Sequence, residues 1–438
     1  MSAVKAERYA ANEGYGEDFL GLVPKPWLVS RLKDKATFNP SKSEIKELPK
    51  ECTFAPMEKL KTDSLLTDVT VIPSNISGSY TYFRENDLLI AKVTPCFENR
   101  NVAIAKNLTN GIGFGSSEIN VVRVSKKANQ RWFFYLFLSS GFIEAGASKM
   151  AGAGGLKRIP SIFLETFAFA LPPLSEQTAI AAYLDTKTAQ IDRQIDLLSQ
   201  KVTQYGKLKR SLINETVTRG LDKSVPMKDS GVEWIGEVPE HWDVRRGKDI
   251  FEQTKNKAGL DSSSYDVLSL TLNGVIKRDL DNMKGKIPAS FDGYQIANPG
   301  DLVLCLFDID VTPRIVGYVN NLGIITSAYT VIKGKRNVDM KYFLYYYLEQ
   351  NRNGSLLANS KTLRSTMTFD LFSQLLLPVP PLGEQRAIAS YLDEKTAQID
   401  RIVTAINTQI DKLKDLRKAL INDVVTGKIK VVSGGAAA

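Results

Sequence analysis

Between Ser175 and Thr218 the apolar positions return at alternating spacings of four and three residues, the pattern of a helix with one continuous seam. Leu184, Ile191, Leu198, Tyr205 and Leu212 make one set, and Thr188, Ile195 and Val202 the other. The stretch holds no proline and one interior glycine, Gly206, so an unbroken helix is predicted; Pro172 and Pro173 stop whatever precedes it and Ser175 is placed to cap its start. The pattern recurs with Leu392, Ile399, Ile406, Leu413 and Leu420 in one set and Thr396, Val403 and Ile410 in the other, with Gly383 where the cap stood. Each helix would be roughly 66 Å long, and a lone apolar stripe would stay wet, so the two are expected to bury their stripes against each other. Parallel helices would force the segment between them to begin and end that far apart, so an antiparallel pair is predicted, with one domain at each pole.

The recurrence is literal. PPLSEQTAIAAYLDTKTAQIDR at 172–193 returns as PPLGEQRAIASYLDEKTAQIDR at 380–401, and GEDFLGLVPKPWLVSRLKD at 16–34 returns as GVEWIGEVPEHWDVRRGKD at 231–249, matching Trp27 to Trp242 and Arg31 to Arg246. Between these landmarks the copies stay parallel and diverge. NDLLIAK around Asp87 answers GDLVLCL around Asp301, each an acid opening a buried strand; strands are also predicted after Ser117 and Ser327; RWFFYLFL from Arg131 answers KYFLYYYL from Lys341, read as packed helices. The expected fold is mixed α+β, with two similar α/β domains separated by an antiparallel two-helix coiled coil and related by a pseudo-twofold internal repeat.

Composition fits a globular chain: 438 residues, 43% hydrophobic and 24% charged, too long for a single ordinary core. No apolar run approaches the roughly 18 residues of a membrane span, and a cytoplasmic location is expected. A net charge of +9 favours polyanionic partners. Catalytic and cofactor signatures are missing. There is no P-loop, since VVTGKIK carries only the last fragment of one; GIGFG at 111–115 precedes a strand where a nucleotide loop would join strand to helix, and is read as a flexible turn. Cys52, Cys96 and Cys305 lie far apart, without metal or disulfide spacing, and the sole histidine, His241, is matched by Pro26 in the other copy, which cannot do acid–base work. Trp27 and Trp242 are expected to pack in cores. These features describe a binder.

With its paired PPLxEQxAIAxYLDxKTAQID motifs and its GVEWIGEVPEHW segment, the chain resembles the DNA-specificity subunits of type I restriction-modification systems over nearly its whole length. GEDFLGLVPKPW departs most from the family wording. The resemblance implies a noncatalytic subunit whose two recognition domains each read one half of a split, asymmetric double-stranded DNA site, while the repeated helices set the gap. It also implies two methyltransferase subunits carrying S-adenosylmethionine, and restriction subunits using ATP and Mg. The corresponding layout is a segment 1–23 beside the second long helix, recognition domains at 24–171 and 239–379, long helices at 172–220 and 380–427, a linker at 221–238 and a tail at 428–438, where VVSGGAAA reads as loose.

Phosphate contacts call for Lys and Arg, and base reading for polar side chains on loops that reach the major groove. The candidates are Lys92, Asn99, Arg100 and Asn101 in KVTPCFENRN, Lys157 and Arg158 in AGAGGLKR, Arg314 in VTPRIVG, and Lys361 and Arg364 in NSKTLRS. Two competing readings remain at this point: a self-contained DNA methyltransferase or nuclease, and a scaffold that gathers proteins without reading DNA.

Overall fold

The computed structural model of the chain describes residues 5–7, 12–14, 22–75, 80–153, 155–280, 290–352, 354, 356 and 366–432. The chain forms two compact units, one of residues 1–199 and 408–438, the other of residues 200–407, so each unit holds part of both long helices. Those helices run Leu174–Arg219 and Leu382–Val425, 46 and 44 residues. Ser175 and Gly383 therefore lie inside the first turn and do not cap it. The helical ladder begins instead on proline carbonyls, with the Gln177 amide donating to Pro173 at 2.9 Å and that of Gln385 to Pro381 at 3.0 Å.

Within each unit the helix segments run antiparallel. In the first, Ile180 and Leu184 share a core with Ile421, Val424 and Val425, and further along Arg417 Nε meets Asp192 at 2.9 Å. In the second, Ile213 and Val217 share a core with Ile388 and Leu392, and Lys209 Nζ meets Asp400 at 2.7 Å. Every residue of the two seams is buried or half-buried. Toward one end of each helix the burial moves by one position: Leu212 and Leu420 are half-buried while Ile213 and Ile421 are buried in the domain cores. A straight helix drifts against a strict heptad, and the domain claims the face that comes round.

Both units wrap a mixed α+β domain around these helices. In the first, a four-stranded antiparallel sheet has the order Val102–Ile104, Leu88–Ala91, Ile119–Val124, Ala36–Phe38; in the second, Val316–Tyr318, Leu302–Leu304, Thr330–Gly334, Phe251–Thr254 repeat that order. The ribbon of Leu28–Arg31 with Ala168–Leu171 is matched by Asp243–Arg246 with Leu376–Val379, and Asn12–Gly14 with Leu22–Pro24 by Met227–Asp229 with Glu237–Pro239. The aromatic runs form the helices Gln130–Leu138 and Met340–Arg352, with Trp132, Phe133, Tyr342 and Phe343 wholly buried.

Two expectations are overturned. GIGFG is no flexible turn: Ile112–Gly115 is a strand between Thr81–Arg84 and Cys52–Ala55, in a second sheet of the first unit. Its glycines serve close approach, since a Cβ on Gly113 would stand 2.4 Å from the Phe83 ring and one on Gly115 2.8 Å from the Ala55 carbonyl. Nor is the tail loose from its start: Lys430–Val432 pairs antiparallel with Lys5–Glu7, and Val431 is buried in the first unit's core.

Gly113→Val should destabilise the first unit by about 1–3 kcal/mol through overpacking against Phe83, read as a lower denaturation midpoint. Gly141→Ala, in the helix Ser140–Ser148 with open space at its Cβ, should leave that midpoint unchanged or raise it.

Candidate nucleic-acid interface

The repeated motif is a joint. Trp27 and Trp242 are fully buried, as expected, and each indole needs an acceptor. Trp27 Nε1 donates to Glu176 Oε2 at 3.1 Å and Trp242 Nε1 to Glu384 Oε2 at 3.0 Å, so the tryptophan of one duplicated segment bonds the glutamate of the other. His241 Nε2 also meets Glu384 Oε2, at 2.8 Å, a structural contact that Pro26 cannot make in the first unit. The next residue bridges as well: Gln177 Oε1 accepts from the Asn129 amide and its Nε2 donates to Pro172 O, both at 2.8 Å, and Gln385 does the same with Asp339 and Pro380 at the same distances.

Two turns further on, Asp185 accepts from Tyr135 Oη and Arg131 Nε, each at 2.6 Å. Asp393 accepts from Tyr345 Oη at 2.8 Å and Lys341 Nζ at 2.5 Å. Burial is the main cause that pushes both tyrosine hydroxyls well above their ordinary range. Thr188 and Thr396 complete the set, each 3.3 Å from the tyrosine oxygen. Sequence reasoning noticed these identical letters and missed their job. The signal was present: polar residues identical in the two copies, within the seam at Thr188 and Thr396 and beside it at the glutamines and aspartates.

The loops chosen in the first unit come together. The Thr94 amide donates to Lys157 O at 2.9 Å, Thr94 Oγ1 donates to Gly155 O at 2.8 Å, and the Ile159 amide donates to Lys92 O at 2.9 Å, which lays the glycine-rich stretch along the end of the strand Leu88–Ala91. Lys157 and Asn99 are exposed, and Lys92 is half-buried. Arg158 is exposed but gripped by Glu118, its Nε at 2.9 and 3.1 Å and its Nη2 at 2.8 Å from the carboxylate, and that grip holds the Glu118 carboxyl below its usual range.

The other candidates fare differently. Asn101 is 9% exposed, drawn under because the strand Val102–Ile104 starts beside it. Arg100 is half-buried, with Nη2 donating to Ser140 Oγ at 3.2 Å. Arg314 does not reach out with its loop; half-buried, it donates through Nε to Val316 O and through Nη1 to Leu272 O, both at 2.9 Å. Lys361 and Arg364 lie outside the described residues.

In the second unit the Met367 amide donates to Leu306 O at 2.7 Å, as the Ile159 amide does to Lys92 O, beside an open hollow of about 300 Å³. Gln253, Lys255, Phe307, Thr330, Thr368 and Asp370 line it. These residues were missed because no repeated letter marks them. Among the described residues no cluster of His, Cys, Asp or Glu could hold a metal ion, and no helix is long and apolar enough to cross a membrane.

Two units of one topology, each jointed to paired helices and each carrying a different loop face at the same place, define a tandem recognition protein. The chain belongs to the family described as Type I restriction modification DNA specificity domain, whose model matches residues 24–202 and 239–412. It is 30% identical over 255 residues to the EcoAI specificity subunit of Escherichia coli, covering 58% of this chain and 41% of that protein. To the EcoEI specificity subunit of the same organism it is 34% identical over 161 residues, covering 36% and 27%. The matched part thus spans less than half the length of these two relatives. A solved chain from work on complex assembly and conformational transition of the type I R-M system shares the fold, with a TM-score of 0.70 at 16% identity over 93% of this chain and 99% of that one.

Replacing Glu384 or Glu176 with alanine leaves a buried indole N–H without its acceptor and should cost the unit concerned about 1–3 kcal/mol. Glutamine, which keeps an acceptor oxygen, should recover most of that in the same denaturant titration.

Proposed function

We propose that the chain is a noncatalytic subunit that reads a bipartite DNA sequence for a type I modification and restriction complex. Residues 24–171 and 239–379 are the two recognition domains, each taking one half of an asymmetric duplex site. The long helices set the gap between the half-sites and dock two methyltransferase subunits, which bring S-adenosylmethionine; restriction subunits supply the ATP- and Mg-dependent steps. The observation that carries this reading is the same frame built twice, with loop faces of different chemistry at the same place. In the first domain Lys92, Asn99, Lys157 and Arg158 offer donors to phosphate and base edges; in the second, Gln253, Lys255 and Thr368 stand at the corresponding hollow. The net charge of +9 supports a polyanionic partner.

A scaffold would need no such divergence on a fixed frame, and it would bind all duplexes equally across salt concentrations. A self-contained methyltransferase would methylate DNA when the purified chain receives only S-adenosylmethionine.

Exchanging residues 24–171 for the equivalent domain of a relative should alter one half of the methylated sequence in the reconstituted complex; changes in both halves would refute the division of labour. Adding one heptad to both helices lengthens them by about 10 Å and should widen the gap between half-sites by up to ~3 base pairs, found by sequencing methylated sites. An active complex with an unchanged gap would remove the helices from that role.

A further inference from the structure

Arg100 and Arg314 are the same position in two unlike sequences. The strand pair Leu88–Ala91 and Val102–Ile104 has the register Leu88↔Ile104 and Ile90↔Val102; its counterpart has Leu302↔Tyr318 and Leu304↔Val316. Each arginine stands two residues before the second strand of its pair, on connecting loops that read KVTPCFENRN and LFDIDVTPRI. In both units this residue touches the tip of a separate hairpin. Thr62 Oγ1, from the hairpin of Leu60–Lys61 with Ser64–Leu65, donates to Arg100 O at 3.0 Å; Arg314 Nη1 donates to Leu272 O at 2.9 Å, on the hairpin of Leu268–Thr271 with Gly274–Lys277.

Their charge is handled unlike that of the arginines in the frame. Half-buried Arg123, Arg131 and Arg417 each hold a carboxylate: Asp87 at 2.7 Å, Asp63 at 2.5 Å and Asp192 at 2.9 Å. Arg100 and Arg314 are equally half-buried, yet among the described residues neither has a carboxylate within 4.0 Å. Their hydrogen-bond acceptors are neutral oxygens, of Ser140 for the one and of Val316 and Leu272 for the other. A guanidinium has five N–H donors, so donors are left over in both. Burial pulls both pKa values down; around Arg100 the Glu144 carboxylate opposes that pull and Arg417 adds to it. A half-buried cation without a counter-ion is costly, and a planar fork suits a phosphate in two-point contact.

We propose that Arg100 and Arg314 are equivalent phosphate anchors, one per recognition domain, each holding a backbone phosphate of duplex DNA beside a hairpin tip. They fix where the domain sits on the duplex and leave base reading to the neighbouring loops. This rests on the DNA-reading function proposed above.

The test uses the complex assembled with its methyltransferase subunits, and Arg100→Gln and Arg314→Gln. Affinity for a duplex carrying the methylated sequence and for an unrelated duplex is measured across salt concentrations. Each variant should weaken both by the same factor and reduce the slope of log K against log salt by about 0.9, the loss of one phosphate contact. The methylated sequence should stay the same, and Arg→Lys should restore the slope. An unaltered slope, or a change in the bases chosen at one half-site, would overturn the proposal. If wild type cannot tell the two duplexes apart, the DNA-reading function itself fails, whatever the arginines do. Should the glutamine variants not assemble, neutral methylphosphonates scanned along the duplex decide. One position per half-site should lower the slope for wild type and lower affinity less for the lysine variant. No such position in either half-site would sink the idea.

Discussion

A buried indole N–H has to find an acceptor, and in this chain it does so on the first turn of a long helix, twice. That one bond ties the place where each domain's chain comes in, at Trp27 or Trp242, to the place where it leaves, at Glu176 or Glu384. The carboxylate is well used there, because a helix N-terminus favours negative charge. The end of the opposite helix meets the same joint. Gly427 and Gly220 take left-handed backbone, and a Cβ there would strike Pro24 at 2.5 Å and the Glu384 carboxylate at 2.7 Å. Tryptophan, glutamate and glycine are three letters far apart in sequence and adjacent in each unit.

This explains why so specific a segment is written twice. A long two-helix pair with a half-buried seam has little of its own to fix a domain on it. The glutamine, aspartate and threonine that follow the glutamate supply that fixation, through the amides and tyrosines of the aromatic helices. Each is a buried or half-buried polar contact, so losing either partner leaves the other stranded at low dielectric. The frame is therefore intolerant of change while loops outside it are free to vary, the arrangement that a recognition protein with an exchangeable target requires.

Periodicity and repetition made the long helices, the aromatic helices and the strands after Asp87 and Asp301 legible, because each is set by a local pattern that burial reinforces. The start of the helices was misjudged at Ser175 because capping preference is a weak local bias, and a preceding Pro-Pro carbonyl met the need. GIGFG looked loose because a glycine's reason for being there is a neighbour, here Phe83, that the local string does not contain. The site was less legible for the same reason. Asn101 and Arg314 have the residue types of groove readers, but whether a side chain emerges depends on a strand start in one case and on a hairpin thirty and more residues upstream in the other.

The treatment of positive charge separates frame from face. Where a cation braces one element on another it is given a carboxylate: Arg131 between Asp63 and Asp185, Arg123 with Asp87 and Glu44, Lys341 with Asp393. Pairing of that kind consumes charge locally and leaves less of it for a polyanion. The excess that makes the whole chain +9 must therefore reside outside the braces. In the first unit it includes the exposed Lys157, next to Arg158, whose charge Glu118 neutralises. A carboxylate placed opposite every cation would make a stiffer protein with no field to draw a polyanion in.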